Sequence, residues 1–320
     1  MAKLSQKDMK ILRELDFGAR QPISQIAKKV GLSPEVTHYR IKQLEKQGII
    51  TGYYPVIDLS KLGYMFCRIF FELEKVDSRI EEQFLEYSRK MPSIGWFVVR
   101  GNMNIGLVVY AATIREAKEI MDQITNKFCM VIKKRTPSIA TKIYHFRRNY
   151  LYGTRADDQL VVGEGKQVQA DDIDRKILML LTKNARLTYI ALAEEVGLSS
   201  MAVMQRVKRM EKEKLIMGYR CALNLSKLGY TNQKIVLYME NISAARKATL
   251  IQFLRMHPHA VYITEVLDSC DLEFEVQLKS MDLLYDFMKN LREQFSEIKS
   301  FEIFPIYREE IIRYIPENVC

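Results

Sequence analysis

Glycine and proline are scarce in this chain, 14 and 8 of 320 residues, which excludes collagen-like and linker-dominated architectures and favours dense regular structure. No stretch reaches the roughly 20 uninterrupted apolar residues that a membrane helix needs. Cysteine is sparse and unpaired in pattern. The five cysteines (Cys67, Cys129, Cys221, Cys270, Cys320) are odd in number, widely spaced and without a C-x-x-C pair, which argues against a disulfide framework and a zinc site. Most are expected to be small buried hydrophobes. The four histidines (His38, His145, His257, His259) include no H-E-x-x-H, and His257-Pro258-His259 reads as an x-Pro turn, so no metal or other cofactor is expected. The stretch MAKLSQKDMKILREL scatters its charges and has no apolar core before a small-residue cleavage site. A secretory signal is therefore not expected, and a cytoplasmic protein without a membrane partner is. Nothing resembles a phosphate-cradling P-loop or a hydrolase nucleophile elbow.

What is present is a repeat. The chain is 48% hydrophobic and carries a formal charge of +10, enough for two or more core-bearing domains. Sliding it by 166 residues lays 8–64 on 174–230 without a gap, with about 25 of 57 pairs identical, ending both times on LSKLGY. This is a tandem duplication. The polar, Gly-containing stretch TRADDQLVVGEGKQVQA, 154–170, separates the copies and reads as a linker.

Each copy splits in two. Ile11, Leu12 and Leu15, then Ile23, Ile26, Ala27 and Val30, then Val36, Ile41 and Leu44 recur at helical spacing, predicting three helices. Gly31 separates the second and third; Ser33 is placed to N-cap the third, with Pro34 in its first turn. The β-rich, Gly-interrupted run 49–57 suggests a small two-stranded wing. Three helices, a tight turn and a wing suggest a winged helix-turn-helix. The rest of each copy alternates as βαββαβ, the ferredoxin-like order. In the first copy the expected elements span 67–73, 80–91, 96–99, 105–110, 114–128 and 138–144; in the second, 233–239, 245–256, 260–265, 272–278, 281–295 and 300–307. The fold class is α+β, a tandem repeat of winged helix-turn-helix plus ferredoxin-like domain. The expected boundaries are 1–60, 61–153, linker 154–170, 171–226 and 227–320. A sheet covered by helices on one face needs a partner on the other, which predicts self-association through that face as a homodimer or larger assembly.

The pattern Asp174…Ile177-Leu178…Leu181, Leu192-Ala193…Val196-Gly197-Leu198-Ser199, Arg206-Val207-Lys208-Arg209…Glu211 and Ile216…Gly218-Tyr219 resembles the Lrp/AsnC (feast/famine) family of transcriptional regulators. The resemblance covers nearly the whole chain except the linker. It implies a DNA-binding winged helix joined to a ferredoxin-like ligand and oligomerisation domain, here as two fused units. It also implies sequence-specific binding of double-stranded DNA, and an amino-acid-like effector at the turn between the middle two strands. There the family's G-D-x-D stands as Gly101-Asn102-Met103-Asn104 and Asp268-Ser269-Cys270-Asp271. Gly101, Asn102, Asn104, Asp268 and Asp271 are the effector candidates. Replacing carboxylates by Asn102 and Asn104 removes the natural partners of an α-ammonium group.

A recognition helix needs polar or small residues at its N-terminal exposed positions and cations nearby. With Thr37, Ile41 and Leu44 inward, the first copy offers Ser33, Pro34, Glu35, His38, Tyr39, Lys42 and Gln43, with Arg40 at the flank. The second offers Ser199, Ser200, Met201, Met204, Gln205, Lys208 and Arg209, with Arg206 in the place of Arg40. Glu35 and His38 face Met201 and Met204 across the repeat, so the expectation is asymmetric half-sites. The methionines either touch thymine methyls, mark a helix reduced to phosphate contacts, or serve protein contacts. Both expected DNA-binding modules are basic, +5 and +4, while the ferredoxin-like modules are +7 and −4, which predicts that the latter pair with each other. Lys133-Lys134-Arg135 and Arg147-Arg148 read as solvated loops, and Trp96 and Tyr144, Tyr150 and Tyr152 as sheet or interface aromatics. A sirohaem decarboxylase-like enzyme has the same architecture, but it calls for a His, Tyr and Arg constellation at the strand turns, and neither turn contains histidine. The expectation is a non-enzyme.

Overall fold

The computed structural model describes residues 4–74, 78–101, 104–151, 158–267 and 270–317. The first helix, α1 (Gln6–Gly18), starts at Ser5, whose hydroxyl and Asp8 make a reciprocal capping box. α2 (Ile23–Val30) ends on Gly31 at φ 66°, the left-handed conformation that glycine adopts without steric penalty. Ser33 caps α3 (Pro34–Lys46) through the Val36 amide. The chain continues through β1 (Ile50–Ile57), β2 (Met65–Leu73), α4 (Ser78–Lys90), β3 (Ile94–Arg100), β4 (Asn104–Ala111), α5 (Ile114–Lys127), β5 (Ile132–Phe146) and β6 (Gln159–Val162). The second copy repeats the pattern: α6 (Asp172–Lys183), α7 (Tyr189–Val196), α8 (Ser200–Lys212), β7 (Ile216–Leu223), α9 (Leu225–Leu228), β8 (Thr231–Met239), α10 (Ala244–Met256), β9 (Ala260–Leu267), β10 (Leu272–Leu278), α11 (Met281–Gln294) and β11 (Ile298–Ile311).

The wing departs from expectation. Each copy contributes one strand, and the two-stranded ribbon is β1 against β7, antiparallel across the repeat. A single eight-residue strand has no local partner, and the nearest complementary edge is its own duplicate. The contacts around the ribbon are reciprocal: the Ala19 amide donates to the Tyr219 carbonyl at 3.1 Å and Ala185 to Tyr53 at 3.0 Å. Likewise the Asp58 amide donates to Leu215 and Asn224 to Ile49, both at 2.9 Å. Arg20 donates to the Ala185 and Leu187 carbonyls, and Arg186 to Ala19 at 2.6 Å. Apart from the Arg20–Leu187 bond, these pairs are related by the 166-residue offset, so the two helical modules form an internal pseudo-dimer around a single shared core that includes Leu12, Leu15, Ile49, Leu178, Val207 and Leu215. Val36, counted in the apolar set of α3, is 43% exposed, while Thr37 is fully buried as expected.

The two ferredoxin-like sheets, ordered β3-β4-β2-β5 and β11-β8-β10-β9, join edge to edge at both ends, β3 to β11 and β5 to β9. The eight strands thereby close into an antiparallel barrel. Pairing of the oppositely charged modules thus occurs within the chain, and the sheet face opposite the helices is covered by the other copy. β5 outruns β2, and β6, inside the stretch read as linker, takes up its free edge at 143–146. The alternation of each strand divides outside from inside. Cys67, Ile69 and Phe71 of β2 pack under α4 and α5, and Leu272, Phe274 and Val276 of β10 under α10 and α11; Arg68, Glu273, Glu275 and Gln277 point inward. Of the described cysteines, Cys67 and Cys221 are buried, Cys270 half-buried and Cys129 exposed. No helix among the described residues is long and apolar enough to cross a membrane.

Candidate nucleic-acid interface and barrel cavity

The helix-turn-helix geometry brings the expected reading residues to two exposed faces. On α3 and its cap, Ser33, Pro34, Glu35, His38, Tyr39 and Lys42 are exposed and Gln43 is half-buried. On α8 and its cap, Ser199, Ser200, Met201, Gln205, Lys208 and Arg209 are exposed, while Met204 is half-buried. The backbone amide of Glu35 and the Ser33 hydroxyl hold the Glu35 carboxyl below its ordinary value, so a charged carboxylate stands at the N-terminus of α3, where α8 has Met201.

The arginines behave differently from the expectation of free phosphate contacts. Arg40 donates to Asp8 at 2.9 Å and to Ser5 at 3.2 Å. Arg206 bridges Asp171 and Asp174 at 2.7 and 2.9 Å, and Arg209 also pairs with Asp174. In each copy the recognition helix is therefore tied to the capping box of the first helix. Lys42 pairs with Glu45 at 2.8 Å, and among the described residues Lys208 forms no ion pair. The sequence periodicity located these side chains correctly but gave no sign that acids 32 to 35 residues upstream engage the arginines.

At the effector turns, Gly101 has φ 43°, and a Cβ there would lie 2.9 Å from Phe304. Asn102 and Asp268 lie outside the described residues. The Asn104 side-chain oxygen is buried without a hydrogen-bond partner among the described residues. Asp271 accepts from the Met239 amide while its own amide donates to Leu237 at 3.0 Å, so it closes the β8–β10 connection.

A polar centre that sequence reasoning missed joins α1 to the barrel. Asp16 is fully buried and accepts from the Arg148 backbone amide at 2.7 Å, from the Arg148 guanidinium, and from Arg220 at 2.8 Å. Burial opposes the Asp16 charge, but the Arg220 and Arg148 guanidiniums outweigh it and its carboxyl lies below the ordinary range. Arg148 was read as a solvated loop residue; it is buried because Asp16 compensates its charge. Burial pushes the nearby His145 imidazole down to about 3, helped by Arg220 and Arg148.

Below the ribbon, the barrel encloses a cavity of about 540 Å³. Every barrel strand lines it, and β1 and β7 cover its mouth with Tyr54, Val56 and Leu223. Its polar floor is a cross-module network: Arg68 donates to Glu273 at 2.7 and 3.0 Å and to Ser138 at 2.6 Å. Lys234 bridges Glu273 at 2.9 Å and Glu275 at 3.3 Å. The Lys234 and Arg68 charges overcome burial and hold the Glu273 carboxyl well below its usual range. Near the mouth, the Trp96 indole donates to Glu309 at 2.8 Å. Trp96, read as a sheet aromatic, thus also lines the cavity. A His, Tyr and Arg grouping exists after all, His145, Tyr262 and Arg148, but at this mouth and not at the strand turns.

Two helix-turn-helix units joined back to back over an α+β barrel define a protein of the winged-helix DNA-binding class. The family profile described as "Winged helix-turn-helix DNA-binding" matches twice, at 4–51 and 171–217. The HTH-type transcriptional regulator LrpA of Pyrococcus horikoshii is 34% identical over 128 residues, 39% of this chain and 85% of that protein. The regulatory protein AsnC of Haemophilus influenzae is 31% identical over 121 residues, 38% of this chain and 81% of that one. The chain belongs to the Lrp/AsnC family, as two fused units. Among solved structures, the siroheme decarboxylase NirDL shares the fold over 97% of this chain and 94% of its own, with TM-score 0.64 and 13% identity. The same enzyme is also known in complex with an iron-uroporphyrin III analogue.

Proposed function

We propose that the chain is a cytoplasmic transcriptional regulator that binds double-stranded DNA as an internally paired dimer, with α3 and α8 reading two unlike half-sites. The observation that carries this reading is the reciprocal ribbon, which fixes two exposed recognition helices about a pseudo-two-fold axis, the symmetry on which helix-turn-helix dimers read adjacent half-sites. The unlike faces argue against a perfect palindrome. Glu35 and His38 are suited to polar base edges, and Met201 to a thymine methyl. Because Arg40, Arg206 and Arg209 are held by acids and Lys42 by Glu45, phosphate contact falls first to Lys208 and the exposed N-termini of the helices. In-vitro selection of binding sites with the intact protein, His38→Ala and Met201→Ala tests this. Each substitution should relax a different half of the selected site; identical changes, or no selected site, would sink the reading.

The architecture shared with a siroheme decarboxylase raises an enzymatic alternative. Tetrapyrroles of the uroporphyrin type are polycarboxylates and need several uncommitted cations. The cavity bases Arg68, Lys234 and Arg148 are each already paired with Glu273, Glu275 or Asp16, and Glu309 adds a carboxylate. That chemistry supports the regulator and not the decarboxylase.

A further inference from the structure

The barrel mouth has the chemistry of a binding site, and it is not the strand-turn position to which the resemblance assigned an effector. Its volume of about 540 Å³ falls within the range of small-molecule pockets, roughly 300–1,000 Å³. Its walls are aromatic. Tyr54 of the ribbon stacks on Tyr314 at 5.0 Å between centroids, while Trp96 on β3 and Tyr262 on β9 also line the cavity. Among the described residues Glu309 pairs with no base. Its side chain is exposed and lines the cavity, and its only hydrogen bond among those residues is the one it accepts from Trp96. Asn232, 7% exposed, donates to Glu275 at 3.1 Å, and its side-chain oxygen, shielded from the cavity, has no partner among the described residues. The uncommitted group bared to the cavity is thus an acceptor, the Glu309 carboxylate, among aromatic walls. An aromatic cage with a carboxylate attracts a cation and repels a carboxylate.

We propose that the barrel mouth binds a small aromatic primary amine, its ammonium on Glu309 and its ring among Tyr54, Trp96, Tyr262 and Tyr314. Occupancy reaches the winged helices because Tyr54 belongs to the ribbon that pairs them. The coupling to DNA rests on the regulator reading above; the binding site does not. An α-amino acid fits worse than the amine, since its carboxylate would face Glu309 and Glu275 with no free base to receive it.

The single tryptophan of the chain is Trp96, so its fluorescence reports the site directly. Titration of the intact protein with 2-phenylethylamine should change the Trp96 emission saturably, with a Kd below about 1 mM. Glu309→Gln should weaken the response at least tenfold with an unchanged circular-dichroism spectrum, and L-phenylalanine and 3-phenylpropionate should bind at least tenfold more weakly. Tyr54→Leu provides a second variant expected to lose affinity if Glu309→Gln does not fold. No saturable response to the amine, an equal response to 3-phenylpropionate, or full retention in folded Glu309→Gln overturns the site. A DNA-binding assay with and without 2-phenylethylamine is read separately. A shifted affinity supports the coupling, and an unchanged affinity with the site occupied overturns it. Absence of any DNA binding refutes the regulator reading and leaves the amine site standing on the fluorescence result.

Discussion

Replacing Asp16 by asparagine keeps the side-chain shape and removes the charge that two buried guanidiniums share. Asp16 and Arg220 are fully buried, and Arg148 is 6% exposed. Breaking a buried pair by removing one partner destabilises by about 3–5 kcal/mol, because the surviving charge is left uncompensated. Two guanidiniums lose their partner here, so the upper half of that range is expected in urea unfolding at pH 7. The repeat supplies a control. The residue equivalent to Asp16 is Thr182, whose hydroxyl donates to the Met179 carbonyl at 2.7 Å; Thr182→Ala should cost about 1 kcal/mol or less. The pH dependence follows from the depressed Asp16 carboxyl. A lowered folded-state value gives stability that is fully present above the unfolded-state value, near 4, and is lost as pH falls through the folded one. The unfolding curves of the protein and of Asp16→Asn should therefore differ most at neutral pH and converge in acid. A difference below about 1 kcal/mol at pH 7, or an equal loss in Thr182→Ala, would refute the claim that this centre clamps the first winged helix to the barrel.

Three further outcomes are expected. Burial raises the Glu309 carboxyl to about 7, with Glu275 adding to the shift and Trp96, Lys234 and Arg148 opposing it. A raised carboxyl binds its proton more tightly folded than unfolded, so the unsubstituted protein loses stability as pH rises from about 4 toward 7. Glu309→Gln should abolish that part of the decline and be the more stable form at pH 8, as measured by thermal melting; a less stable variant at pH 8 would contradict the assignment. Arg68→Ala leaves Glu273 and Lys234 without their third member and should cost about 3–5 kcal/mol in urea unfolding; a loss under about 1 kcal/mol would show that the barrel floor is hydrated. Gly163 has φ 101°, and a Cβ there would lie 2.4 Å from the Thr141 carbonyl oxygen. Gly163→Ala should therefore destabilise by about 2 kcal/mol or more, whereas a neutral effect would mean that β6 is dispensable.

Much of the fold was legible because duplication and periodicity are local signals. The 166-residue offset, the Gly31 and Gly197 turns and the strand–helix order all lie in short windows of sequence, and the helices and ferredoxin-like strands formed where expected, with β5 and β11 longer, whereas the wing paired across the copies and β6 formed inside the expected linker. What was hidden is non-local. The run Leu272 to Leu278 alternates apolar with Glu273, Glu275 and Gln277, a pattern that separates two faces without saying whether the polar one meets water or a barrel interior. Asp16, Arg148 and Arg220 lie 132 and 204 residues from pairing partners, beyond any spacing rule. A signal did exist where the copies differ: Asp16 stands opposite Thr182 and Arg220 opposite Tyr54, so the departures from the repeat mark the asymmetric centre. The recognition faces were read from helical phase, but the neutralisation of Arg40 and Arg206 by first-helix acids depends on how the helices pack.

The most direct test of the regulator assignment is the affinity of the intact chain for its selected DNA site against a scrambled duplex, followed by fluorescence anisotropy across a range of salt. The account predicts one chain per bipartite site, a preference on the order of a thousandfold or more, and affinity that falls steeply as salt rises. Equal affinity for both duplexes, or no binding at low salt, would contradict it.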